Sequence, residues 1–340
     1  MADTDLAVAP GQDQEDVFKN FDILSGDSAI SDHSYIGANK LNEVQAQTAA
    51  FNNPTSNVSK RIVKEWRILE RDLPESIYVR VYEQRLDLLR AVIVGSPGTP
   101  YHDGLFVFDI VLPPDYPHHP PKVNYHSHGY CLNPNLYASG YVCLSLINTW
   151  QGRAVERWST STSTILQLLV SLQGLVLNDN PYFNEPMVAV GLQQLKNGIL
   201  TGFWHKKVMN YNQNVFVYSC RTMIHKMKRP PKGFERLVFE HFRQRQEVIL
   251  SAINAYRDGT AVVGHYQQGG SSSTNPVHVS RGFKSSLSKT YKDLQKAFIQ
   301  FGISPPEAID RGEGSQSTGS SKPNRGFKSK VINALKKLFG

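Results

Sequence analysis

Three cysteines occur in 340 residues, Cys131, Cys143 and Cys220, and one of them has neighbours that could make its sulfur a reagent. Cys143 follows the run Asn133-Pro134-Asn135-Leu136-Tyr137-Ala138-Ser139-Gly140-Tyr141-Val142 in a loop-rich stretch. An ordinary thiol, with a pKa near ~8.5, is already a competent nucleophile close to neutrality. It can take an acyl group from an activated thioester donor without an ion-paired histidine. When an amine later attacks that acyl group, a tetrahedral oxyanion forms and needs a hydrogen-bond donor. Asn135 carries a neutral amide suited to that task. The plainer role for Cys143 is a small buried hydrophobe, and spacing alone does not choose between the two.

Other chemistries fit less well. His118, His119, His126, His128 and Cys131 lack the paired spacing of a metal site, so no metal is expected. His126 or His128 could partner Cys143, but no protease signature surrounds it. No phosphate-binding loop is present, so the chain is not expected to bind ATP. The basic stretches lack a nucleic-acid-binding motif. An odd, sparse cysteine set argues against a disulfide framework and for a reducing compartment, cytoplasmic or nuclear. The first ten residues do not read as a secretory signal, and no apolar run reaches the ~18 residues of a membrane span.

These residues need elements to position them. Residues 1–57 hold nine acids against Lys19 and Lys40, a net of −7 in a chain of +8, and read as an acidic, disordered arm. Within it Val17, Phe18, Phe21, Ile23 and Leu24 form an apolar cluster that could be a docking peptide. Ile62, Val63, Trp66 and Leu69 recur at helical spacing after Asn57 or Ser59, and the helix should stop at Asp72-Leu73-Pro74. Ile77–Glu83, Asp87–Val94, Leu105–Leu112 and Val123–His126 read as four strands of an antiparallel meander, with the almost wholly apolar Leu105–Leu112 placed centrally. Residues 113–164 are rich in Pro, Asn, Gly, His and Ser, and a loop region this long is usually functional. Helical spacing returns at Ile165–Val176 and at Phe234–Tyr256. The fold class is α+β: an N-terminal helix, a four-stranded antiparallel sheet, a long loop carrying Cys143, then helices.

Gln267–Pro276 has the composition of a flexible linker. Beyond it, Arg281-Gly282-Phe283-Lys284-Ser285 reappears as Arg325-Gly326-Phe327-Lys328-Ser329. Each copy opens an amphipathic stretch. The first aligns Phe283, Leu287, Tyr291, Leu294 and Phe298. The second sets Phe327, Val331, Leu335, Leu338 and Phe339 against four lysines, so 325–340 could lie on an anionic membrane surface, dock in a partner's groove or pack on the body.

The block Val58–Val188 resembles the catalytic domain of ubiquitin-conjugating enzymes. Lys60-Arg61-Ile62-Val63-Lys64-Glu65 is similar to the family's basic first helix, and Gly104–Ile110 to its third strand. Pro113–Val123 resembles its tyrosine- and proline-rich loop. Asn133-Pro134-Asn135 stands where the family usually has His-Pro-Asn, and Cys143 stands at the active cysteine. Trp158-Ser159 and Asn180-Pro181 follow in the expected order. The insertion Thr149–Arg157, Tyr182–Pro186 and Tyr211–Phe242 are similar to a divergent branch that includes large hybrid conjugating and ligating enzymes and plant relatives.

The resemblance implies that Cys143 carries ubiquitin as a thioester received from the activating enzyme, and passes it to a substrate lysine with or without a separate ligase. It implies that Asn135 serves the isopeptide step, that Glu185 orients the lysine, and that Lys60, Arg61 and Lys64 dock the activating enzyme. His118, Ser159, Thr160 and Ser161 fall in the two ligase-contacting loops. No cofactor is implied, since ATP belongs to the activating enzyme. The domains expected are the arm 1–57, a catalytic domain 58–228, a helical extension 229–266, and a linker with a basic tail, 267–340. The competing readings are a catalytically idle ubiquitin-binding scaffold and a carrier of another ubiquitin-like modifier.

Overall fold

The computed structural model describes residues 18–36, 51, 53, 56–185, 201–268 and 277–303. Helix α1 spans Asn57–Asp72. Ser56 caps it, its side chain accepting the Ser59 N–H, and the helix ends just before Leu73-Pro74, where proline forbids another turn. A sheet of five strands follows in the order β1-β2-β3-β4-β5. Strands β2 (Ile77–Tyr82), β3 (Arg85–Val94), β4 (Leu105–Val111) and β5 (Lys122–Tyr125) form the expected antiparallel meander.

The fifth strand corrects the expectation of a four-stranded sheet beside a disordered arm. Phe21–Leu24, within the acidic arm, forms β1 and pairs parallel with β2, Phe21 opposite Val79 and Leu24 opposite Tyr82. Four residues are too few to show a strand period, and what orders them lies elsewhere in the chain. The buried Arg80 guanidinium stacks 4.3 Å over Phe18 and 5.0 Å over Phe234, and donates to the Lys19 carbonyl at 3.0 Å. Further on, Arg90 and Asp109, both fully buried on β3 and β4, pair at 2.6 Å. Arg90 also binds Asp32 at 2.6 Å, and Asp109 accepts the Ser34 N–H and hydroxyl, both at 2.7 Å. The arm therefore adds polar partners to side chains that the sheet buries, beyond the Arg90–Asp109 pair itself. Burial opposes ionisation of Asp109, but hydrogen bonds from His126 and Arg90 outweigh it and hold the carboxyl far below its ordinary range. Residues 1–17 and 37–50 lie outside the described residues.

Both faces of the sheet are covered. Val79, Val81, Leu89, Ala91, Ile93, Phe106, Phe108 and Ile110 share one core with Ile62 and Leu69 of α1. That core also takes Ile165, Leu168 and Leu169 of α2 (Ile165–Ser171), which runs on into a π turn at Leu172–Val176. On the opposite face Val92, Leu105 and Val107 pack on Phe216, Phe234, Phe242, Ile253 and Leu294. These come from α3 (Thr201–Lys228), α4 (Glu235–Asp258) and α5 (Arg281–Gln300), and from the turn ahead of α4. Double coverage explains why β4 is apolar apart from the ion-paired Asp109, since both faces of the sheet are packed.

The C-terminal helices are accordingly not a separate extension. Their core includes sheet residues, so the boundary expected at 229 cuts through one hydrophobic cluster. Nor is 267–340 wholly linker and tail: α5 buries Phe283, Leu287, Leu294 and Phe298. The linker residues 269–276 and the second copy of the repeat, 325–340, lie outside the described residues. Among those described, no helix is long and apolar enough to cross a membrane.

Lys226 of α3 is buried with 1% exposure against this core. Among the described residues its Nζ has only the Thr222 carbonyl at 3.4 Å and the face of Phe106, 6.0 Å away. Burial lowers its pKa to about 7. The unfolded chain keeps an ordinary lysine, so between about pH 7 and 10.5 folding expels a proton and stability rises with pH. Lys226→Met is expected to stabilise the protein by a few kcal/mol at pH 7, on the order that a shift of this size implies. The gain should shrink as pH approaches 10, as read by urea denaturation at the two pH values.

Candidate active site

The loop after β5 folds on itself through three isolated bridges, Asn124 with Tyr141, Asn133 with Leu136 and Leu136 with Val142. Its centre is the Asn133 side chain, which is fully buried. Asn133 Nδ2 donates to the Tyr101 hydroxyl at 2.9 Å and to the Val176 carbonyl at 2.7 Å. Asn133 Oδ1 accepts the Asn135 N–H at 2.8 Å and the Asn184 amide at 3.2 Å. Two donors and two lone pairs are all engaged. A histidine ring here could supply one N–H at most beside an acceptor, so the asparagine suits a loop packed around the π turn of α2.

Asn135 and Cys143 hold each other. The Cys143 N–H donates to the Asn135 carbonyl at 2.9 Å, and Asn135 Nδ2 donates to the Cys143 carbonyl at 2.7 Å. One amide N–H of Asn135 thus fixes the loop, leaving its second for another acceptor. Beyond Cys143 the chain turns through a 3₁₀ segment, Ser145–Ile147, braced by Thr149. The Thr149 hydroxyl accepts the Leu144 N–H at 2.9 Å and donates to the Val142 carbonyl at 2.8 Å.

Cys143 is only 5% exposed, because its backbone is enclosed by these pairings. Its sulfur lies near the hydroxyl of Tyr137, a residue that is 43% exposed. Burial pushes the Cys143 thiol up, and the Tyr137 hydrogen bond pulls it partly back. Tyr137 in turn is raised by the adjacent sulfur charge and by their shared hydrogen bond, so it stays protonated as the donor. Glu185 adds to that rise, which brings its carboxylate into the field of the same site. Glu185 is exposed at the end of a 3₁₀ turn, Pro181–Asn184, that Asn184 ties to Asn133. Cys143, Asn135 and Glu185 therefore share one region. Tyr137 belongs with them and was not singled out in the sequence, where it is one aromatic in a polar loop.

The other site residues fall elsewhere. Lys60 and Lys64 are exposed on α1. Arg61 is turned inward: it meets Glu65 at 2.7 Å and donates to the Ser163 carbonyl at 2.7 Å. The fully buried Glu65 also accepts the Tyr116 hydroxyl at 2.9 Å and the Ile165 N–H at 3.0 Å, joining α1, the proline-rich loop and the start of α2. His118, Thr160 and Ser161 are exposed and Ser159 half-buried. Their two loops are clasped by the Trp158 indole, which donates to the Pro117 carbonyl at 2.7 Å. Among the described residues no three His, Cys, Asp or Glu side chains are grouped so as to hold a metal ion.

Comparison with known proteins bears on this arrangement. The family model described as ubiquitin-conjugating enzyme matches residues 61–209. Putative ubiquitin-conjugating enzyme E2 39 of Arabidopsis thaliana is 44% identical over 296 residues, covering 87% of this chain and 87% of the relative. The chain belongs to the ubiquitin-conjugating enzyme family. Probable ubiquitin-conjugating enzyme E2 24 of Arabidopsis thaliana is 47% identical over 286 residues, 84% of this chain but 29% of the relative. The dual E2 ubiquitin-conjugating enzyme/E3 ubiquitin-protein ligase BIRC6 of Homo sapiens is 37% identical over 201 residues, 57% of this chain and 4% of the relative. The chain spans about a quarter to little more than a third of the length of several of these plant relatives.

In this family frame the sulfur–phenol contact can be tested without any partner. Tyr137→Phe removes the donor that eases thiol ionisation, so the Cys143 pKa should rise further. Alkylation by iodoacetamide at pH 8 should slow by about three-fold, the modest worth of a partly exposed hydrogen bond. The difference should vanish above the thiol pKa.

Proposed function

We propose that Cys143 accepts the C-terminal carbonyl of ubiquitin from the activating enzyme's thioester and transfers it to a substrate lysine. The observation that carries this reading is the reciprocal clasp of Cys143 and Asn135. In the first step the Cys143 thiolate attacks the carbonyl carbon, a tetrahedral intermediate forms, and the activating enzyme's thiolate leaves. In the second step a lysine amine attacks the new thioester, and the Cys143 thiolate is the leaving group. The second amide N–H of Asn135, not used in the clasp, would be the donor that steadies the oxyanion. Glu185 attracts the incoming ammonium and can take its proton.

Lys60 and Lys64 are the exposed cations of α1 available to an acidic face of the activating enzyme, while Arg61 supports the fold. The clasped loops carrying His118, Ser159, Thr160 and Ser161 would meet a ligase. The likeness to a relative named as both conjugating enzyme and ligase supports transfer without a separate ligase as well. ATP serves the activating enzyme only, and this chain needs no cofactor of its own. Its free cysteines suit a reducing compartment such as the cytoplasm or nucleus. The presence of Cys143 weighs against an idle scaffold, and incubation with alternative modifiers separates ubiquitin from its relatives.

The test mixes activating enzyme, ubiquitin, ATP and this protein, resolved on gels with and without reductant. A reductant-sensitive adduct is expected on the native protein and absent from Cys143→Ala. Asn135→Ala should still charge, yet discharge onto free lysine about 10²-fold more slowly, the typical loss of one oxyanion donor. An adduct that survives in Cys143→Ala would overturn the assignment of the nucleophile. Native discharge by Asn135→Ala would overturn the role of the amide.

A further inference from the structure

Between α3 and the start of α5 lies a cleft of about 540 Å³, on helices that the transfer chemistry does not use. Its lining carries Lys206, Arg221 and His278 and, among the described residues, no carboxylate. Arg221 is held in place by aromatic faces, 5.6 Å from the Tyr218 ring and 5.9 Å from Tyr130, and has no carboxylate partner among the described residues. The N-terminus of α5 opens into the same space. The Ser280 hydroxyl accepts the Phe283 N–H, and the Ser280 carbonyl accepts that of Lys284. The N–H groups of Arg281 and Gly282 lie in the first turn, where a helix has no internal acceptors, and they carry the positive end of a 20-residue helix. A Cβ at Gly282 would meet nothing within 4 Å, so the backbone there is open to a ligand.

A second, independent observation is Gln213. It lines the cleft, is 7% exposed, and its side-chain amide has no hydrogen-bond partner among the described residues. That amide borders the cleft, where a ligand can supply the partner the protein does not. Its N–H groups are donors of the same sense as the cations around it. The floor beside it is apolar, formed by Met209, Val217 and Phe283. The space exceeds what an inorganic anion fills and lies within the ~300–1,000 Å³ usual for small organic ligands.

We propose that this cleft is a binding site for a small organic phosphate monoester. Its phosphate would sit between Arg221, Lys206 and the Arg281–Gly282 amides, with Gln213 donating to it and its organic body on the Met209–Val217 floor. Such a ligand would bridge α5 to α3 and so hold the C-terminal helix on the body. The proposal is independent of the role of Cys143.

The test is calorimetric titration of the full chain with phenyl phosphate, with inorganic phosphate and benzyl alcohol as partial probes. Saturable binding of one phenyl phosphate per chain is expected, tighter than either partial probe. Arg221→Gln and Gln213→Glu should each weaken it by about ten-fold, the loss of one hydrogen bond to a charged group. Lys228→Gln, which removes the same charge outside the cleft, should leave it unchanged. Absence of saturable binding to the native chain would overturn the proposal. So would equal losses in Arg221→Gln and Lys228→Gln, which would mean attraction by net charge alone. Inorganic phosphate binding as tightly as phenyl phosphate would remove the organic body from the assignment.

Discussion

The catalytic loop depends on one buried amide. Asn133 occupies both of its donors and both of its acceptor positions, and each bond reaches a different part of the chain: Tyr101, the π turn, the Asn135 backbone and Asn184. Loop backbone is ordinarily kept at the surface because its polar groups have no partners inside. Here the side chain supplies those partners, so the loop can lie against the core while its far end presents a thiol. The Cys143–Asn135 clasp then follows as a local consequence, and Glu185 is brought near because its turn is anchored to the same amide.

Two buried carboxylates do for the larger elements what Asn133 does for the loop. Glu65 gathers α1, Tyr116 and the first N–H of α2, which sets the clasped outer loops relative to the sheet. Asp109 with Arg90 does the same on the outer face, recruiting Asp32, Ser34 and His126. Both are costly to bury and stable only when fully partnered. The consequence is a sheet covered on both sides, one by the family's own helices and loop, the other by the arm and by α3, α4 and α5. Cys143 sits on a loop anchored to that doubly covered sheet.

Much of this was legible in the residues. The meander, α1, α2 and α4 followed from period and from breakers such as Leu73-Pro74, and the face of α5 from Phe283, Leu287, Leu294 and Phe298. Cys143 and Asn135 followed from motif order. What stayed hidden depended on long-range partners. Strand β1 is too short for a period and is ordered by Arg80 and Arg90, more than fifty residues away. Arg61 reads as one of three basic surface residues until Glu65 and Ser163 claim it. Asp109 reads as a lone polar interruption in β4, and only the fold shows Arg90, Ser34 and His126 converging on it. Tyr137 had no signal beyond being aromatic, since its meaning lies in where its hydroxyl points.

Whether the Asn133 amide holds the loop presenting Cys143 is read by native-state hydrogen exchange of the Cys143 amide. That N–H donates to Asn135, not to Asn133, so it reports the loop and not the altered residue itself. In Asn133→Leu, a near-isosteric change that removes every bond at once, the Cys143 amide should exchange at least about ten-fold faster, the equivalent of ~1.4 kcal/mol. Amides in the centre of β3 and β4 should keep their native protection. Unchanged exchange at Cys143 would contradict the account and place the hold on the loop elsewhere.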